Sequence, residues 1–135
     1  MPEILLRVKR QDPHSKKDPA PRWEEYTIPY DVNLTVLEAL FHVQEKHDGS
    51  LSFRYCCRAS ICGSCAMYIN GAYRLACQTN VKHLDSNVVT VEPMPHLPLV
   101  KDLVVDMDEF FAKYEYIEPW LIRNSADPEK ETRQT

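Results

Sequence analysis

In EILLRVKR (3–10), Ile4, Leu6 and Val8 alternate with Leu5, Arg7 and Lys9, the period of a half-buried strand. QDPHSKKDPAPR (11–22) breaks the alternation with polar residues and Pro13, Pro19 and Pro21, and reads as a connection. WEEYTIPY (23–30) is a second strand, expected to return along the first as a hairpin with a long loop. The period then changes. Thr35-Val-Leu-Glu38 is a capping box, in which each side chain satisfies a free backbone N–H at a helix start. Leu37, Leu40, Phe41 and Gln44 follow at helical spacing, with Val36 and Val43 widening the apolar face. His47-Asp48-Gly49 is expected to end this helix, with Gly49 in the left-handed conformation beyond its C-terminus.

Two further runs, CAMYIN (65–70) and AYRLAC (72–77), flank Asn70-Gly71, the pair that favours a tight hairpin because both residues accept positive φ. VVTVEP (88–93) reads as a last strand. The order β-β-α-loop-β-β-β predicts an α+β fold, a β-grasp mixed sheet over one helix, spanning residues 1–93. Residues 94–122 are predicted as a linker, stiffened by MPHLP, and an amphipathic helix starting at Asp106-Met-Asp-Glu109. Phe110, Tyr114, Ile117 and Leu121 stand at i, i+4, i+7 and i+11 on that helix. It is too short to be stable alone and must lie on the body or on a partner. Residues 123–135 read as a polar tail.

A length of 135 residues suits one domain, and 44% hydrophobic residues supply a core without cross-links. The net charge of −4, with acids and bases interspersed, argues against a nucleic-acid partner. The one cationic run, Arg7 to Lys17, is broken by Asp12 and Pro13 and reads as a solvated strand end and loop. No run approaches the ~20 apolar residues of a membrane span, and MPEILLRVKR lacks a signal-peptide core, so a soluble chain is expected. The three glycines, Gly49, Gly63 and Gly71, leave no glycine-rich phosphate loop. The histidines read as surface or cap residues, and Tyr55, Tyr68 and Tyr73 as sheet packing.

The chemistry concentrates in FRYCCRASICGSC (53–65), which holds four of the five cysteines. An odd count with two adjacent thiols does not suit a disulfide framework and favours metal ligation. Counted from Cys57, the spacing C-x4-C-x2-C gives Cys57, Cys62 and Cys65, and Cys77 follows after eleven intervening residues. This is the plant-type arrangement for a [2Fe–2S] cluster. Two irons need four thiolates in two pairs. One curled loop can offer three, and Cys77 stands at the end of the strand that the Asn70-Gly71 hairpin returns towards the loop. Ala59, Ser60, Gly63 and Ser64 are small enough for backbone N–H groups to approach the sulfurs. Zinc is the competing metal, but structural zinc sites usually pair two C-x2–4-C knuckles, and only one such pair occurs here. A thioredoxin-like use of Cys62-Gly-Ser-Cys65 is disfavoured by the two cysteines just before it. Arg54 and Arg58 have two readings: solubility, or tuning of the site and docking on an acidic partner.

SFRYCCRASICGSCAMYINGAYRLACQT resembles the [2Fe–2S] segment of the succinate dehydrogenase and fumarate reductase iron–sulfur subunit, S-F-R-x-S-C-R-E-G-I-C-G-S-C-A-M-x-I-[DN]-G-x-x-x-L-A-C. PHLPLVKDLVVDMDEFFAKYEYIEPWL (95–121) resembles the stretch that leads out of that family's N-terminal, ferredoxin-like domain. The resemblance implies that Cys57, Cys62, Cys65 and Cys77 ligate the cluster iron, and that Cys56 occupies a position where the family usually has serine. Arg58 matches the arginine after the first ligand, whereas Ala59-Ser60 replaces the usual Glu-Gly and would alter the loop's hydrogen bonding. The implied role is that of an electron-transfer component with no catalytic residue of its own. It would relay single electrons from an FAD-containing flavoprotein subunit to a second iron–sulfur protein or domain carrying [4Fe–4S] and [3Fe–4S] clusters. A membrane anchor would enter through the complex, held in the cytoplasm or at the inner membrane on its cytoplasmic or matrix side. The family's C-x2-C-x2-C-x3-C-P runs do not occur in these 135 residues, which suits a piece of a longer chain, one half of a split subunit or a free-standing relative in another flavoenzyme complex. A diffusible ferredoxin and a zinc-bound interaction module remain as other readings.

Overall fold

A computed structural model describes residues 2–135. Strand β1 (Glu3–Arg10) lies antiparallel to β2 (Arg22–Pro29), with Leu6 opposite Tyr26, as the first two patterns require. On the other side of β1, strand β5 (Val88–Glu92) runs parallel to it, Leu6 beside Val89. Strand β3 (Ala66–Ile69) pairs antiparallel with both β5 and β4 (Ala72–Leu75), so the sheet order is β2-β1-β5-β3-β4. Helix α1 (Val36–Lys46) covers one face, burying Val36, Leu37, Ala39, Leu40 and Val43 in one core with Ile4, Leu6, Val8, Val89 and Val91. Each such side chain contributes about 1.5–3 kcal/mol on leaving water. This is the β-grasp arrangement.

Several expectations hold at atomic detail. The capping box forms: Thr35 Oγ1 accepts the Glu38 N–H, and the Glu38 carboxylate accepts the Thr35 N–H. Asn70 and Gly71 take φ of 46° and 77°, and the Asn70 side-chain oxygen accepts the Thr90 N–H at 2.7 Å, tying the turn to β5. Tyr68 and Tyr73 face each other across β3 and β4 with centroids 5.4 Å apart.

Other expectations are corrected. Gly49 is not in the left-handed region; helix α1 stops because Asp48 turns back to accept the Ser50 N–H and hydroxyl while its other oxygen meets Arg10. The run from Arg7 to Lys17 is not wholly solvated, since Arg10 is 1% exposed. Its Nη1 donates to Glu24, Tyr26 and Asp48 and its Nη2 to Ser50, while Nε lies 3.1 Å from Asp102. Burial by itself would lower the Arg10 pKa, but Asp102 and Asp48 raise it above the usual guanidinium value. Tyr26 is pushed up to about 12 by burial and by its hydrogen bond to Glu24. Tyr55 is not in the sheet; it stands edge-on to Phe41 of α1 at 4.6 Å.

The stretch after residue 93 does more than link. Strands β6 (Leu99–Lys101) and β7 (Val104–Val105) form a small hairpin whose Asp102, Leu103 and Val105 are buried against the body. Helix α2 (Asp108–Ile117) follows, and none of its residues is buried. Leu121 of the expected stripe falls beyond the helix, which ends at Glu118 in the left-handed conformation, just before Pro119. Among the described residues, no helix is long and apolar enough to cross a membrane.

Candidate metal centre

The loop from Leu51 to Cys65 leaves the end of α1, crosses the rim of the sheet and enters β3. Its first half is held by packing, with Phe53 and Tyr55 both stacked edgewise or tilted against Phe41. Its second half is held by backbone conformation. Arg58 and Ser60 take φ of 53° and 62°, and Gly63 takes 72°. Each non-glycine residue in that region costs on the order of 1–2 kcal/mol, so something must repay the curl. The return is visible at sulfur. The N–H groups of Ala59, Ile61 and Cys62 all donate to Cys57 Sγ at 3.3 Å, and the Ser64 N–H donates to Cys62 Sγ at 3.4 Å. A concave run of amides around a sulfur is a cradle for negative charge.

Across the hairpin, the Cys77 N–H donates to Cys65 Sγ at 3.5 Å, and the Ala76 N–H donates to the Cys65 carbonyl. Cys77 is seated from the other side by helix α1, whose free first-turn N–H groups, Val36 and Leu37, donate to the carbonyls of Thr79 and Ala76. The Ser60 hydroxyl also donates to the Gln78 side chain and closes the loop against this turn. The fold thus sets the four sequence-selected cysteines in two contacts, Cys62 against Cys57 Sγ and Cys77 against Cys65 Sγ. Cys56 is exposed beside them, and all five thiols are free.

The two pairs differ electrostatically. The Cys62 thiol is drawn down to about 6 by hydrogen bonding from the Cys57 backbone and from Ser64. Cys65 is 4% exposed, and burial pushes its thiol up. Among the described residues, no three His, Cys, Asp or Glu side chains close on a single-ion site. Two separated thiol pairs suit a group with two metal centres. Of the two arginines singled out from sequence, Arg58 stays exposed on the loop, whereas Arg54 donates to the Val105 carbonyl at 2.8 Å. Sequence reasoning missed this bond, the Ser60–Gln78 link and the burial of Asp102. No periodicity or motif marks any of the three. A groove of about 340 Å³ separates Cys62–Ser64 from the start of α2 at Asp106–Phe111.

Comparison with known proteins supports the same reading. Residues 5–112 match the model of the family described as "2Fe-2S iron-sulfur cluster binding domain". The chain is 40% identical over 137 aligned residues to the fumarate reductase iron-sulfur subunit of Mycobacterium tuberculosis, covering 100% of this chain and 55% of that protein. It is 42% identical over 131 residues to succinate dehydrogenase [ubiquinone] iron-sulfur subunit 1, mitochondrial, of Oryza sativa subsp. japonica, covering 95% of this chain and 46% of that protein. Among solved structures, a chain of the Mycobacterium smegmatis Sdh1 complex in the apo form superposes with a TM-score of 0.80 at 30% identity, over 98% of this chain and 54% of that one. The chain therefore spans about half the length of the curated relatives it matches.

Proposed function

The chain belongs to the family of 2Fe-2S iron-sulfur cluster binding domains, and on that premise we propose that it is the electron-transfer unit of a succinate dehydrogenase/fumarate reductase-type complex, with Cys57, Cys62, Cys65 and Cys77 as cluster ligands. The observation that carries the ligand assignment is the ring of three N–H donors around Cys57 Sγ beside the Cys65–Cys77 pair. When bound, a [2Fe–2S] cluster supplies a store for one electron at a time, at a potential set by charge, hydrogen bonds and exposure. The chain's own residues hold the sulfurs, donate N–H groups to them, and leave Cys62 exposed and Cys65 buried, with Cys57 and Cys77 between. That asymmetry offers a short path to solvent-side partners at Cys62 and a supported wall at Cys65.

The partners proposed are an FAD-containing flavoprotein subunit as electron donor or acceptor and a second iron–sulfur protein or domain carrying [4Fe–4S] and [3Fe–4S] clusters. The names of the two aligned relatives and the complex containing the structural relative support a place in a multi-subunit complex. Residues 110–121, whose apolar side chains are exposed, are proposed to dock on the second of these partners. A membrane anchor would join through the complex on its cytoplasmic or matrix side. The exposed aromatic face disfavours a freely diffusing shuttle.

Purification of the full chain tests the site. A reddish-brown protein with about two irons and two acid-labile sulfides per chain is expected. Cys56→Ser should keep both, and Cys57→Ser should lose or perturb them. A colourless zinc protein would end this reading, and loss on the Cys56 change alone would move the ligand register by one.

A further inference from the structure

The start of the cluster loop is tied to a part of the chain that contributes no cysteine. Asp102, at the tip of the β6–β7 hairpin, is 2% exposed. Its Oδ1 accepts the Gln11 N–H at 3.1 Å and faces Arg10 Nε at the same distance, while its Oδ2 accepts the Ser52 N–H at 3.1 Å. The Leu103 N–H then donates to the Ser52 carbonyl, and Arg54 donates to the Val105 carbonyl. Ser52 and Arg54 alternate with Phe53 and Tyr55, the two rings that lean on Phe41. One side of this segment is therefore bonded to the hairpin and the other packed on α1, immediately before Cys57.

We propose that the β6–β7 hairpin is a strut that positions the cluster loop, with Asp102 as its positioning residue acting through Ser52 and the Arg54–Val105 bond as a second tie. The inference rests on the ligand assignment above only for its consequence at the cluster, not for the strut itself. The strained φ values at Arg58 and Ser60 need a rigid approach, because a loop free to slide at Ser52 relaxes its curl and withdraws its N–H groups from Cys57 Sγ. A buried carboxylate held by an arginine and two backbone N–H groups is stiff in a way that apolar contact alone is not. On this account Arg54 is a structural tie, and Arg58 is the arginine left free on the loop.

Asp102→Asn is a selective test. Asparagine tolerates the φ of 49° at this position, so the backbone is respected. Its amide must turn NH2 towards either Ser52 or the Gln11–Arg10 side, and one of those contacts is lost. Arg54→Met cuts the second tie at a less buried site and carries the test should the Asn variant fail to fold. Ile28→Val, in the core on the far edge strand, is the control. Hydrogen exchange on the full chain as purified should show the Ala59, Ile61 and Cys62 amides of both strut variants exchanging roughly tenfold faster relative to the sheet, and those of Ile28→Val unchanged relative to it. The electron paramagnetic resonance signal of the reduced protein should shift in both strut variants and not in the control. Loop amides that exchange as in the wild type, or only in step with the sheet, overturn the strut. Faster exchange with an unshifted signal overturns its positioning role. A wild-type chain with no iron or sulfide would instead remove the ligand assignment, and the exchange measurement would still decide the strut.

Discussion

Helix α1 has 11 residues and helix α2 has 10, yet α1 buries five side chains and α2 buries none. Both are amphipathic by sequence. Helix α1 is closed at its start by Thr35 and Glu38 and pinned at its end by the Asp48–Arg10 pair. Helix α2 has no side-chain cap at Met107, and its aromatics chiefly meet one another: Phe110 with Phe111, Phe111 with Tyr114, and Tyr114 with Trp120. Amphipathicity states that a face requires cover. What covers it depends on where the neighbouring chain goes, and for α2 the body does not supply it.

This contrast can be broken or sharpened by substitution, beginning where the effect is largest. Arg10→Ala leaves Asp102, Asp48 and Glu24 around an empty charge site, and a loss of about 3–5 kcal/mol is expected from urea unfolding. A loss under 1 kcal/mol would show that the end of α1 is not held there. Leu40→Ala, beneath the sheet, is expected to cost about 2–5 kcal/mol by the same measurement. Thr35→Ala removes the cap and should cost about 1 kcal/mol. Tyr114→Ala on α2 should change the stability of the isolated chain by no more than about 0.5 kcal/mol. If it unfolds the chain like Leu40→Ala does, α2 is packed on the body and the contrast fails.

Acid offers a finer probe of the pinned helix end. The Ser50 hydroxyl and N–H, followed by Arg10, hold the Asp48 carboxyl well below the usual carboxylate range. A folded pKa below the unfolded value of about 3.9 means that Asp48 stabilises the chain above that pH and loses its contribution as the pH falls below it. The melting temperature should therefore fall as the pH drops from about 4 towards the folded pKa, and fall less in Asp48→Asn. Equal falls in both proteins would place the acid sensitivity elsewhere.

Local chemistry was legible wherever one short segment settles its own conformation. The alternation of Ile4, Leu6 and Val8, the Thr35–Glu38 box and the Asn70-Gly71 turn each act within a few residues, and each is found as read. The cysteine spacing selected four thiols, of which Cys57 and Cys62 share one contact and Cys65 and Cys77 another. Gly49 misled because glycine permits a left-handed cap without requiring one, and Asp48 closes the helix by reaching Arg10, 38 positions away. The β6–β7 hairpin was missed because strands of three and two residues are too short to show a period.

The sequence by itself determined the five strands of the main sheet, the first helix and the identity of the sulfur ligands to test, because hydrophobic period, capping and thiol spacing are local properties of the chain. Only the tertiary structure decided that Arg10 is buried, that Asp102 reaches Ser52 from 50 positions away, and that Arg54 ties the loop to Val105. Those contacts join segments distant in sequence. Their stabilisation arises from charge pairing and hydrogen bonds that offset the cost of desolvation only once the sheet, the helix and the hairpin have met.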